Sequence, residues 1–205
     1  MAHREIGKKG QFMREHVVVG LLMILGSSLA MAGEDPRVQT KLGLYVTAKE
    51  AHDMWQADPE GVTILDIRTL AEYVFVGHPP MAYSLPAFFQ THRWDPERGM
   101  FAMEPNPEFV AQVGKWVEPD DTILVTCRSG ERAAMAINLL AEAGFTKVYN
   151  IVDGMEGGIV KDPESVFNGR RMKNGWQNSN LPWTYEINLD QIWIPNDLSA
   201  QEESK

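Results

Sequence analysis

The residues best suited to chemistry stand together in one short stretch, Cys127-Arg128-Ser129-Gly130-Glu131-Arg132, which holds the only cysteine of the chain. Before it, Ile123, Leu124 and Val125 form an apolar, β-rich run that reads as a buried strand. After it, the segment from Ala133 to Ala143 is rich in Ala, Leu, Met and Glu, which reads as a helix closed by Gly144. A loop between a strand and a helix start aims backbone N–H groups and the positive end of the helix dipole at one point. That setting favours a thiolate and makes Cys127 a nucleophile at neutral pH. Arg132 lies near the helix start, where a cation opposes the dipole, so an anionic substrate is the expected reason for it. The plainer reading of a single cysteine after a strand is a small core residue. Two arginines, a glycine and the strand-to-helix setting favour the nucleophile in an anion cradle.

The elements that must position this loop can be followed along the chain. Thr47-Ala48-Lys49-Glu50 matches a capping box and opens a helix through Ala51, Met54 and Trp55. Residues 58–61 form a turn, and Val62 to Ile67 reads as a strand. Asp66 and Arg68 fall on one side of that strand, where a supporting ion pair is favoured over substrate contact. A second capping box, Thr69 to Glu72, starts a short helix through Tyr73 and Phe75, which Gly77-His78-Pro79-Pro80 stops. His78 beside this turn reads as a hydrogen-bonded packing residue before an acid or base. Ala82 to Leu85 is a short strand. Residues 87–105 are an aromatic, Pro-containing connection long enough to cover the active face. Asn106 as N-cap and Pro107 at the first helical position predict a helix with Phe109, Val110, Val113 and Trp116 on its buried stripe. Lys147 to Val152 is the last strand, followed by a glycine-rich turn over 153–158. This alternation predicts an α/β fold, a mainly parallel sheet with helices on both faces, and a ligand site at the C-terminal strand ends, where Cys127 stands.

Composition narrows the function. The formal net charge of −9 and pI near 5.0 argue against nonspecific nucleic-acid binding. Arg4, Lys8, Lys9 and Arg14, the uncharged apolar stretch from Val17 to Leu29, and Ala30-Met31-Ala32 match a signal peptide over residues 1–32. The apolar run is too short for a stable membrane span, which needs roughly 20 residues. Cleavage near Ala32 would make the protein periplasmic or secreted, with residues 33–43 as a flexible lead-in and a domain core over 44–158. One cysteine excludes an internal disulfide, a CxxC redox centre and a cysteine-based zinc site. His52, His78 and His92 do not cluster like metal ligands, so no metal or cofactor is expected. Residues 159–205 carry Lys161, Arg170, Arg171 and Lys173 beside Trp176, Trp183, Tyr185 and Trp193, and read as an extension wrapping its aromatics onto the domain.

On these residues the chain resembles the rhodanese family of sulfurtransferases. Leu65-Asp66-Ile67-Arg68 with Glu72-Tyr73, then Gly77 to Ala82 and Leu85-Pro86, is similar to the family's first characteristic stretch. Cys127 to Arg132 is similar to its six-residue active loop, and Val148-Tyr149 through Gly157-Gly158 to its closing strand and glycine pair. A weaker likeness recurs at Trp176 and Leu181-Pro182. The chain departs from the family pattern in one extra residue between Tyr73 and Gly77, in Met81 where glycine is usual, in an enlarged 87–105 connection and in an insertion between Gly158 and Trp176. The resemblance implies sulfur transfer from thiosulfate or a similar anionic donor, through a Cys127 persulfide, to a thiol, cyanide or protein acceptor. It implies that the amides of residues 128–132, Ser129, Gly130 and Glu131 among them, line the substrate site and that Arg128 and Arg132 hold the sulfonate oxygens. Asp66, Arg68 and His78 are then structural support. A phosphatase or arsenate reductase on the same fold is the competing enzyme. Its loop is one residue longer, because a tetrahedral phosphate needs a wider cradle, whereas four residues separate Cys127 from Arg132 here. A non-catalytic sulfur-carrier or binding module is the third reading.

Overall fold

A computed structural model describes residues 35–195. The signal-peptide expectation falls on residues outside this range. Five strands form a parallel sheet: β1 (Tyr45–Val46), β2 (Val62–Asp66), β3 (Tyr83–Ser84), β6 (Thr122–Thr126) and β7 (Val148–Ile151), in the order β1-β7-β6-β2-β3. Four helices accompany it: α1 (Ala48–Ala57), α2 (Leu70–Val76), α3 (Phe109–Trp116) and α4 (Glu131–Glu142). Two antiparallel ribbons stand apart from the sheet, β4 (Phe88–Asp95) with β5 (Met100–Pro105), and β8 (Gly158–Ile159) with β9 (Arg171–Lys173).

Central strand β6 shows why the sheet is covered twice. Ile123, Leu124 and Val125 are all fully buried, but successive side chains point to opposite faces. Ile123 and Val125 pack with Leu65, Phe109, Val113, Ile137 and Leu140, so α3 and α4 cover that face. Leu124 packs with Ile64, Ala48, Ala51, Ile151 and Trp176, so α1 and the C-terminal extension cover the other. Near-continuous apolar strands are the mark of a parallel sheet buried on both sides, and the α/β expectation agrees with this architecture.

Both capping boxes form. Thr47 Oγ1 accepts the Glu50 N–H while Glu50 Oε2 accepts the Thr47 N–H at 2.7 Å, and Thr69 and Glu72 repeat the exchange. Asp153 adds a distant tie: its carboxylate accepts the Ala48 N–H at 2.7 Å and the Gly175 N–H at 2.8 Å, joining α1 to the extension.

Three expectations change. Residues 35–43 do not form a loose lead-in: Val38 is buried beside Tyr45 and Val152, and its carbonyl accepts from Asn150 Nδ2 at 3.0 Å. Helix α3 begins at Phe109, two residues later than predicted. Asn106 Oδ1 accepts the Glu108 N–H, its carbonyl accepts the Phe109 N–H, and its Nδ2 donates to Pro86 O, so residues 106–108 form a turn before the helix. The 87–105 connection is a β-ribbon.

The extension lies along the domain. His78 and Thr184 exchange backbone hydrogen bonds, and Trp193 N–H donates to Ser84 O at 2.9 Å, so residues 184–193 cover the outer edge at β3. Trp176 is fully buried, with Nε1 donating to Pro182 O at 2.8 Å.

Candidate active site

From β2 the chain proceeds to β3 on one side; from β6 it proceeds to β7 on the other. The crevice of such a sheet lies where the strand order reverses, outside the carboxyl ends of the strands. The loops after β2 and β6 meet at that point here.

Cys127 follows the last residue of β6 and is 1% exposed. Its Sγ accepts the Gly130 N–H at 3.2 Å. Gly130 is the N-cap of α4 with φ 91°, and a Cβ there would stand 2.5 Å from Val152 O, so a residue with a side chain would distort the loop. The first-turn amides of a helix have no carbonyl partners within it, and at the head of α4 the N–H of the N-cap Gly130 meets the thiol. The loop is held from behind by the turn at 153–157: Met155 N–H donates to Cys127 O at 2.8 Å and Glu156 N–H to Arg128 O at 3.0 Å. Buried Asn150 donates from Nδ2 to Gly130 O at 3.2 Å.

The two loop arginines face different partners. Arg128 is exposed and forms no ion pair among the described residues. Arg132 turns to the other loop and grips Glu72 with both guanidinium ends, Nη1–Oε2 at 2.7 Å and Nη2–Oε1 at 2.6 Å. Burial penalises both charges, but the fork-to-carboxylate contact outweighs it. Burial pushes the Glu72 carboxyl up, yet Arg132 and the Thr69 cap bring it down to about 2. Arg132 holds its proton more firmly than a free arginine, because Glu72 overrides the burial that would weaken it. Glu72 thus completes a capping box on α2 and a clamp on α4. The sequence marked the first role; the second joins residues sixty positions apart and has no local signal.

Glu131 lies beside Arg37 Nη1 at 3.7 Å and Arg98 Nη2 at 3.6 Å. Arg98 sits at the tip of the β4–β5 ribbon, which therefore reaches the start of α4. Ser129 is half-buried.

The remaining residues named from the sequence form a buried support. Asp66 and Arg68 are both fully buried. Arg68 Nε donates to Asp66 Oδ1 at 2.9 Å, and Nη2 to Asp66 Oδ2 at 2.6 Å and Gly77 O at 2.7 Å. Burial works against the Arg68 charge, but Asp66 raises its proton affinity above the ordinary value. The pair ties the end of β2 to the end of α2. His78 stacks on Tyr73 with ring centroids 3.5 Å apart, and its Nδ1 meets Tyr73 O at 3.0 Å. Burial lowers the proton affinity of His78. Among the described residues no cluster of His, Cys, Asp or Glu could hold a metal ion, and no helix is long and apolar enough to cross a membrane.

Comparison with known proteins places this geometry. The sequence matches the rhodanese-like domain profile over residues 47–159. It is 36% identical over 121 residues to the chloroplastic thiosulfate sulfurtransferase 16 of Arabidopsis thaliana, covering 59% of this chain and 88% of that protein. It is 35% identical over 109 residues to the senescence-associated protein DIN1 of Raphanus sativus, covering 53% of each chain, so the match spans about half of that relative. The crystal structure of Rv0390 from M. tuberculosis superposes with a TM-score of 0.53 at 28% identity, covering 69% of this chain and 96% of the other. With a profile match over more than half of the 205 residues and relatives at this identity, the chain belongs to the rhodanese-like domain family.

Proposed function

We propose that the protein is a sulfurtransferase that moves sulfane sulfur from thiosulfate, or a similar anionic donor, to a thiophilic acceptor through a persulfide on Cys127. In the first half-reaction the Cys127 thiolate attacks the outer sulfur of thiosulfate. The Sγ–S bond forms as the donor S–S bond breaks, and its electron pair departs on sulfite. In the second half-reaction cyanide or a thiolate attacks the terminal sulfur of the persulfide and releases the Cys127 thiolate. Both steps are balanced without a cofactor. The observation that carries this reading is the buried Cys127 Sγ receiving the Gly130 N–H at 3.2 Å at the start of α4. Amides there stabilise the anionic sulfur of thiolate and persulfide alike. The likeness to the thiosulfate sulfurtransferase 16 of Arabidopsis thaliana supports the same chemistry.

Arg128 is the loop cation open to the donor's sulfonate, while the Glu72–Arg132 clamp holds the two loops in register. Steady-state thiocyanate formation from thiosulfate and cyanide tests the reading, with parallel double-reciprocal lines as the expected result. Faster turnover of a phosphate ester would favour the phosphatase reading. A persulfide that forms without turnover would favour a carrier module. We further propose export with cleavage after Ala32, from the basic, apolar and Ala-x-Ala pattern of residues 1–32. N-terminal sequencing from the native cell tests it: a mature chain starting at Met1 would overturn it.

A further inference from the structure

The segment between Gly158 and Trp176 is looped out of the domain, and its base sits against the active loop. It leaves through β8 and returns through β9. At its feet the backbones of Gly157 and Gly175 touch: a Cβ on Gly175 would stand 2.3 Å from Gly157 N. Directly after the return, Trp176 N–H donates to Gly154 O at 2.9 Å, so the chain resumes packing on the turn at 153–157. That turn is the one whose Met155 and Glu156 amides hold Cys127 and Arg128 from behind. Arg171 on β9 is anchored to the same turn, its Nη1 donating to Gly157 O at 2.6 Å.

The guanidinium of Arg171 is half-buried and has no carboxylate salt bridge among the described residues. Burial lowers its proton affinity, as do the charges of Arg128 and Arg132, while Glu156 and Cys127 pull the other way, so it stands within electrostatic reach of the loop. Arg171 holds the carbonyl of Gly157, the residue after the Glu156 whose N–H donates to Arg128 O, so these two cations lie a short backbone path apart at the loop, while Arg132 is paired with Glu72. An anion between Arg128 and Arg171 relieves the repulsion of these like charges and gives the half-buried Arg171 the direct ion pair it lacks among the described residues.

We propose that Arg171 is a specificity-determining residue which, with Arg128, receives the oxyanion end of a doubly charged sulfur donor, the role that Glu72 withholds from Arg132. This rests on the sulfur-transfer reading for the donor's identity, but the charge selectivity can be measured without any donor. Iodoacetate and iodoacetamide are of similar size and differ by one negative charge. Their rates of Cys127 alkylation should be compared in the wild type, Arg171→Gln, Arg171→Lys and the neighbouring control Arg170→Gln. Gln keeps a hydrogen-bond donor for Gly157 O and removes the charge.

The expected result is an iodoacetate-to-iodoacetamide rate ratio lowered about tenfold in Arg171→Gln, largely restored by Arg171→Lys and unchanged in Arg170→Gln. The thiosulfate KM should rise by a similar factor in Arg171→Gln with little change in kcat. Equal slowing of both reagents, or an equal effect of Arg170→Gln, would overturn the proposal and leave Arg171 a clamp on the ribbon. Failure of the sulfur-transfer reading appears separately, as a wild-type protein that gains no sulfur from thiosulfate.

Discussion

Replacing Glu72 by glutamine removes one charge from the junction of the two site loops and keeps the side chain's shape. The Glu72 carboxyl lies at about 2, against 4.5 for an ordinary glutamate, and its side chain is 23% exposed. Because the folded-state value lies below the unfolded one, the carboxylate stabilises the fold fully above pH 4.5, and that stabilisation is lost as pH falls through about 2. The difference corresponds to about 3 kcal/mol at neutral pH, of which about 2 kcal/mol is gone by pH 3. Urea unfolding of the wild type and Glu72→Gln at pH 7 and pH 3 reads this directly. The variant should be less stable by about 3 kcal/mol at pH 7 and by about 1 kcal/mol at pH 3. Comparing the two proteins cancels the titration of other carboxylates. A deficit of the same size at both pH values, or no deficit at pH 7, would refute the reasoning that Arg132 is committed to Glu72.

The same commitment separates the two loop arginines. Arg132→Ala strands a partly buried carboxylate and should lower stability by about 3 kcal/mol, whereas Arg128→Ala should leave the melting temperature unchanged and raise the thiosulfate KM about tenfold. Melting curves beside steady-state kinetics check both, and the reverse pattern would assign anion reading to Arg132. Asp66→Ala strands the fully buried Arg68 and should cost about 3–5 kcal/mol, with persulfide formation per folded molecule preserved. Unchanged melting with lost turnover would make Asp66 catalytic.

The parts of this molecule legible in the sequence are those with local causes. The two Thr-x-x-Glu boxes announced α1 and α2, and the apolar run before Cys127 announced β6. The place of Cys127 between strand and helix followed from residue types alone. The β4–β5 ribbon was not legible because, beyond Phe88 and Met103 at the core, its burial pattern has no period of two for the sequence to display. Asn106 misled for a related reason, since an Asx turn and an N-cap use the same side-chain oxygen for the same short-range bond. The pairing of Arg132 with Glu72 and the return of Arg171 to the turn at 153–157 depend on long-range packing. Arg171 was visible only as one member of a basic patch, with nothing to indicate which of its cations would fold back.

The proposed sulfur transfer runs through a persulfide on Cys127. Intact-mass measurement after incubation with thiosulfate and removal of excess donor tests it most directly. The wild type should gain one sulfur atom and lose it on adding cyanide, and Cys127→Ser should gain none, because an oxygen there cannot carry a persulfide. A wild-type mass that stays unchanged, or an equal gain in Cys127→Ser, would contradict it.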